Sequence, residues 1–315
     1  MSATSGLWGK AAKGALAGCC ALAMLVTMGA CGTTDANDKP AANTKGADLS
    51  QVKKDAKIAA MLPESVSKDG KFTVGVSPDF APAEFLDTDG KTPIGYDMDF
   101  GKAISKVFGL KFEPVSAVFD SIMPSIGSKF DVGLSGFTVD PSRKDAGEFV
   151  SFLKEGSSYT VKKGNPKNVK VDDLCGHSVA VQSGVSQEQT VKKANQQCVA
   201  QGKKPIDIQS MKQQTSVTTA VATGKADAFC ADTPIAGYAV KENGDALQLI
   251  GKSFDETTEA VVVPKGDMQT AKAVQAALQK LMDDGTYTKI LKAWGNQTSA
   301  MSQARIETFD EGKQE

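Results

Sequence analysis

The chain has 315 residues, 41% of them hydrophobic and 6% aromatic, and carries a formal net charge of −1 at pH 7. That is the make-up of a soluble globular protein long enough for two units of ordinary domain size. With no basic block anywhere, nothing can neutralise a phosphate backbone, which excludes nucleic acid as a partner. A lone histidine, His177, without paired ligand spacing argues against a metal, and no cofactor is implied.

Residues 1–30 read as an address, a lysine-flanked start followed by an apolar stretch from Gly14 to Ala30. Met28-Gly29-Ala30-Cys31 resembles the bacterial lipobox, which predicts cleavage before Cys31 and a lipid on its sulfur. Met28 stands where leucine is usual. Leu16-Ala17-Gly18-Cys19 fits the letters better, but it follows Lys13 too closely to have an apolar core ahead of it. An ordinary signal peptide cut elsewhere, or a retained anchor, is the alternative. From Gly32 to about Asp48 the sequence cannot bury enough apolar surface to order itself, so residues 31–67 read as a lipidated cysteine and tether. A short helix over Leu49 to Met61 is expected near its end, stopped by Pro63.

Lys71 to Val76 is rich in β-branched residues and predicts a strand. Phe100, Ala103, Ile104, Val107 and Phe108 recur at helical spacing up to Gly109, a residue suited to a left-handed cap. A strand at Leu110–Val115, a short helix at Ser121–Ile126 and a strand at Phe130–Leu134 complete a first unit. A second repeats the plan: strand Ser178–Gln182, helix Gln187–Gln197, strand Ile206–Gln209, helix Ser216–Thr223, strand Ala226–Ala231. This alternation predicts mostly parallel sheets with helices on both faces. Aligning Ser128–Gly136 with Gly224–Asp232 puts Gly136 and Asp232 at equivalent strand ends, where ligands of open α/β sheets bind. A helix near Ile235–Val240, strands at Leu247–Ile250 and Ala260–Val263, a helix carrying Ala271, Val274, Leu278, Leu281 and Met282, and a last helix over Tyr287–Trp294 follow; this tail is expected to pack back on the first unit.

After maturation the cysteines are Cys31, Cys175, Cys198 and Cys230. With Cys31 lipidated, at most one bridge can form. Cys175 with Cys198 is favoured because the two flank a strand-helix unit, and Cys230, in an apolar run, reads as a buried free thiol.

The pieces VGVSPDFAPAEF, IGYDMDFGKAI, FDSIMPSI, FDVGLSGFTVDPSRKD, VAVQSGVSQE, GKADAFCADTPIAGY and DDGTYTKILKAWG occur in order between Phe72 and Gly295. Together they resemble solute-binding protein family 3, the polar amino-acid-binding lipoproteins of ABC importers. The resemblance implies a type II periplasmic-binding-protein-like α/β fold: two lobes, each a mixed, mostly parallel sheet flanked by helices, hinged at two crossings. Lobe 1 would span 68–156 plus 259–300, lobe 2 157–258, and 301–315 would be a polar tail. It implies a monomer held on the outer face of the cell membrane by lipid, which captures one amino acid between the lobes and hands it to a membrane permease with its ATPase.

Site residues follow by position. Asp140-Pro141 reads as an N-cap with proline at the first helical position, which puts Arg143 in the first turn, where a guanidinium can hold a carboxylate with two hydrogen bonds. In the family the matching arginine grips the ligand α-carboxylate, helped by Thr138. Ser186, with Gln189 at capping-box spacing, opens a helix whose amides suit an anion; Val185 stands where relatives commonly have threonine. Asp232 takes the position that pairs with the α-ammonium, together with backbone oxygens at Ser135 or Gly136. Phe80 and Phe119 match rings that sandwich the ligand stem, and Gln182 reaches its side chain.

Ser77 lies where many relatives carry aspartate, and Ala83 where they carry phenylalanine. The first departure removes a carboxylate suited to a cation, so a neutral or acidic ligand such as glutamine, glutamate or cystine is expected. A non-enzymatic role is expected too. The competing readings are a dehydratase-type enzyme of the same fold, whose acid would have to be Glu84 or His177, and a ligand sensor without transport.

Overall fold

The computed structural model describes residues 45–309; the leader, Cys31, most of the tether and the last six residues lie outside that range. Two four-residue helices, α1 (Ala56–Ala59) and α2 (Glu64–Ser67), lead into strand β1 (Lys71–Val76). A small antiparallel sheet of β2 (Asp79–Phe80), β3 (Glu84–Leu86) and β4 (Pro93–Ile94) precedes α3 (Tyr96–Phe108), β5 (Lys111–Ser116), α4 (Phe119–Ile122) and β6 (Val132–Thr138). Long strand β7 (Glu148–Lys162) is followed by β8 (Ser178–Gln182), α5 (Ser186–Ala200), β9 (Asp207–Met211), α6 (Gln214–Ala222), β10 (Ala228–Asp232) and α7 (Thr233–Asn243). A second long strand, β11 (Leu247–Val263), then α8 (Met268–Asp283), α9 (Thr286–Trp294) and β12 (Ala300–Ile306), end the described chain.

The strands run β5-β1-β6-β11-β7-β10-β8-β9. Pairing is parallel around β1 and around β8, and antiparallel wherever β7 or β11 takes part. The two long strands carry the architecture. Residues 148–154 of β7 pair with the C-terminal part of β11 beside β6, whereas residues 157–162 pair with β10 and with Leu247–Ile250. The register slips between Ile250 and Phe254 and again before Thr257, opposite Glu155 and Ser157. Broken ladders there bend the strands and spare hydrogen bonds in the connections between the lobes.

In lobe 1 the helical face read from the sequence is the core face: Phe100, Ala103, Ile104, Val107 and Phe108 of α3 are all buried. Gly109 ends the helix at φ 73°, with its N–H donating to the Lys106 carbonyl and that of Leu110 to Ser105. Helix α8 packs against α3 with Val274, Leu278 and Leu281 buried, so the chain's end does return to the first lobe. Lobe 2 has its own apolar cluster built from Val179, Val181, Val191, Ile206 and Ala228.

Three expectations change. The helix over Leu49–Met61 shrinks to Ala56–Ala59, because Asp55 accepts from the N–H groups of Lys57 and Ile58 and starts the helix there; Pro63 is the N-cap residue of α2. The segment expected as a polar tail contributes β12, paired antiparallel with β7. The separate strands Leu247–Ile250 and Ala260–Val263 are the ends of one strand.

Cys175 and Cys198 form a disulfide, and Cys230 is a buried thiol, as read from the sequence. The bridge closes a loop across 23 residues. By chain entropy that is worth about 3 kcal/mol, so Cys175→Ser with Cys198→Ser is expected to lower unfolding free energy in urea by that order, against an unchanged midpoint if the bridge adds nothing.

Candidate functional site

At and beyond the C-terminal end of β6, residues singled out in the sequence are joined across the lobes, Arg143 to the Gly184 carbonyl and Thr138 to Ser186. On the lobe 1 side, the Ser77 N–H donates to Ser135 Oγ at 3.0 Å. The Phe80 ring packs against Gly136, where φ is 55° and a Cβ would come within 2.8 Å of the ring, so only glycine permits this approach. Phe119 stacks on Phe137 with centroids 5.0 Å apart and borders Gly184 of lobe 2.

Arg143 ends a single 3-10 turn that begins at Pro141 and is capped by Asp140, whose carboxylate accepts from the Ser142 N–H. Its guanidinium donates to the Gly184 carbonyl across the cleft at 2.7 Å and to the Thr138 carbonyl at 3.5 Å. Of five N–H donors, three stay available to a carboxylate. Ser186 Oγ donates to Thr138 Oγ1 at 3.2 Å, again from one lobe to the other. The expected capping box is therefore not formed: Val185 is the N-cap residue of α5, without a side-chain cap, and it is Glu188 that accepts from the Gly184 N–H.

Asp232 precedes α7 but caps nothing; its Oδ1 accepts from Gln187 Nε2 at 2.6 Å. Burial raises its pKa to about 7, against the lowering effects of Gln187 and Arg143. The same burial pulls Arg143 down. Gln182, at the end of β8, is fully buried and donates to the Lys212 carbonyl. Lys212 also pairs with Asp120 across the cleft, to which Ser183 donates as well. The two lobes are thus closed on one another.

Four residues that shape the cleft were not singled out. Glu155 lies on β7 at the crossing and is buried, with its pKa raised by burial and then by Asp232. Gln187 holds Asp232; Asp79 receives hydrogen bonds from Ser77 Oγ and from the backbone N–H of Gln214 in lobe 2, and Gln214 is buried beside it. Asp79 adjoins Phe80 in β2. Glu155 sits in a stretch whose Gly156-Ser157-Ser158 interrupts the apolar pattern of β7.

Beneath the cleft floor three carboxyls share one dry space. Ser135 Oγ donates to Glu84 at 2.5 Å, the Gly136 N–H to Asp97 at 2.9 Å and Tyr96 OH to Glu259 at 3.0 Å. Burial raises all three, Asp97 to about 6. A carboxyl that binds its proton more tightly folded than unfolded lends stability at low pH and loses it as pH rises, here from about 4 to about 6. Asp97→Asn keeps an acceptor for Gly136 and cannot ionise. It is expected to flatten that loss by on the order of 2 kcal/mol in urea unfolding between pH 4 and pH 7; an unchanged pH slope would contradict the assignment.

Two α/β lobes that meet over a half-buried arginine and a buried aspartate have the form of a small-molecule binding protein. The chain belongs to the bacterial extracellular solute-binding proteins, family 3, whose model matches residues 72–297. It is 34% identical over 252 residues to the arginine-binding protein ArgT of Corynebacterium glutamicum, covering 79% of this chain and 82% of that one. It is 27% identical to the L-cystine-binding protein TcyJ of Escherichia coli K12, covering 74% and 85%. A solved ancestral arginine-binding protein bound to glutamine shares the fold with a TM-score of 0.65 at 32% identity, covering 72% of this chain and 98% of that one. Among the described residues no helix is long and apolar enough to cross a membrane.

Proposed function

We propose that this protein is the substrate-binding component of an amino-acid ABC importer, in which lobe 1 (68–156 plus 259–300) and lobe 2 (157–258) close on one zwitterionic amino acid and the closed form is what the permease recognises. The observation that carries this reading is one guanidinium, Arg143, in the turn after β6 and one ionisable carboxylate, Asp232, at the end of β10, near enough for each to shift the other's proton affinity; a backbone oxygen of Ser135 or Gly136 is assigned to share the ligand ammonium. Arg143 with Thr138 and the amide of Ser186 holds the α-carboxylate, Asp232 holds the α-ammonium, and Phe80 and Phe119 flank the stem. A hinge closed by interlobe contacts that the ligand completes is a population shift toward the closed state.

Relatives named as arginine-, cystine- and glutamine-binding proteins support a polar amino acid. The expectation of a neutral or acidic side chain rested on Ser77. The Asp79 carboxylate, 2.9 Å from Ser77 Oγ, now stands in that region and weighs against the acidic half of it. The enzyme alternative finds little support: Glu84 is sealed under the floor by Ser135, and His177 faces Asp227 at 3.4 Å in a site formed with the start of β8, at the opposite end of that strand from Gln182.

Loss of amino-acid uptake on deleting the gene, with binding but no turnover by the purified protein, is the test; turnover of a bound ligand would reject it. Lipid attachment at Cys31 is part of the proposal. Radiolabelled palmitate is expected to label the protein, and Cys31→Ala to abolish the label; labelling that survives the substitution would refute it.

A further inference from the structure

The side-chain end of the cleft has more acceptors than donors. Resting on the reading above, that a zwitterion spans Arg143 and Asp232, we infer that the ligand is an amino acid with a cationic, donor-rich side chain, and that Asp79 is the residue that selects it.

Charge gives the first argument. Arg143 lies near Glu155 and Asp232, and Lys212 is paired with Asp120, so that among the described residues Asp79 has no cation acting on it. A zwitterion engages Arg143 with its acid end and Asp232 with its amine end and is itself neutral, so it leaves Asp79 without a cation. Asp79 is drawn out of water between the lobes, and burial raises its pKa while only neutral donors hold it: Ser77 Oγ at 2.9 Å and the Gln214 N–H at 2.8 Å, with Gln182 close by. A half-buried carboxylate held only by neutral donors is stabilised by a positive group placed beside it. A ligand ammonium or guanidinium would supply that group; a second carboxylate would repel it.

Unpartnered atoms give the second argument, independent of charge. At the side-chain end, beside Asp79, the buried polar atoms without a partner are two oxygens, Gln182 Oε1 and Gln214 Oε1, and one nitrogen, Gln214 Nε2. Each Asp79 oxygen, with one bond accepted, retains a lone pair as well. The partner that satisfies such a set donates hydrogen bonds and accepts few. A guanidinium offers five N–H donors and no acceptor, and an ammonium three. A side-chain amide satisfies the lone Gln214 nitrogen but adds another acceptor, and a carboxylate adds only acceptors.

Asp79 also connects selection to closure. Its second oxygen accepts from the first residue of α6, a nine-residue helix of the opposite lobe, where a negative charge is favourable. A cation that keeps Asp79 ionised therefore strengthens a contact that exists only when the lobes meet.

The test is isothermal titration of the purified protein with L-arginine, L-lysine, L-ornithine, L-glutamine, L-glutamate and L-cystine, repeated on Asp79→Asn. At least one cationic amino acid is expected to bind ten-fold or more tighter than glutamine, with glutamate weakest. Asp79→Asn should weaken the cationic ligand ten-fold or more and change glutamine by less than three-fold. Glutamine, glutamate or cystine as the tightest ligand, or equal weakening of all ligands by Asp79→Asn, overturns the inference and leaves amino-acid binding intact. Binding of none overturns both. The wild-type ranking decides the matter even where the variant fails to fold.

Discussion

Arg143→Ala is expected to abolish measurable binding of every amino acid the protein recognises. Closing the cleft strips water from the ligand carboxylate, and without the guanidinium that charge has no ionic partner. Breaking a buried pair in this way costs roughly 3–5 kcal/mol, on the order of a hundred- to several-thousand-fold in affinity. The variant also loses the 2.7 Å contact to the Gly184 carbonyl, one of the few bonds tying lobe to lobe. Because Arg143 is only half-buried and ends a single 3-10 turn, the melting temperature of the unliganded protein should hardly move. Loss of binding with an unchanged unliganded melt separates a ligand contact from a structural role, and retained affinity would remove Arg143 from the site.

Asp232→Asn comes next in size, and it makes a prediction about protons as well as affinity. The Asp232 carboxyl has its pKa raised to about 7 by burial, so near neutrality it is partly protonated and must ionise to meet an ammonium. Binding should therefore release a proton, and affinity should rise with pH, falling about ten-fold for each unit below 7. Asparagine preserves the acceptor for Gln187 Nε2 while losing the charge, so affinity is expected to drop by roughly 2–3 kcal/mol, the worth of a hydrogen bond to a charged group. In the variant the pH dependence between 5.5 and 8 should flatten. Titration in buffers of different ionisation enthalpy reads the proton directly. A binding heat independent of buffer would contradict the role given to Asp232.

The parts of this account legible in the sequence were those with a local signature. Periodicity marked α3, and the Gly109 cap fixed its end, because spacing and a left-handed glycine are properties of a few neighbouring residues. Asp140-Pro141 gave the turn that carries Arg143 for the same reason. The internal likeness of Ser128–Gly136 and Gly224–Asp232 marked β6 and β10 as counterparts, although Gly136 lies two residues before the end of β6 whereas Asp232 closes β10. What escaped notice depends on partners distant in the chain. β7 and β11 carry both lobes, yet Gly156-Ser157-Ser158 and Gly251-Lys252-Ser253 interrupt their apolar runs at the very points where register slips, so neither reads as one strand. Ser186 looked like a cap; its hydroxyl instead crosses to Thr138 in the other lobe, a contact no spacing rule contains. Asp79 carries no signature of its own in the sequence, since its partner Gln214 is 135 residues away; it supplies a carboxylate two residues after Ser77.

The central claim is that one amino acid is held by its two ends from opposite lobes. A crystal structure of the protein with its tightest-binding amino acid tests this most directly. The account predicts the ligand carboxylate within hydrogen-bond distance, about 2.7–3.2 Å, of Arg143, and the ammonium equally close to Asp232, with Thr138 and Ser186 closing over them. A ligand seated elsewhere, or bound with neither of those side chains in contact, would contradict it.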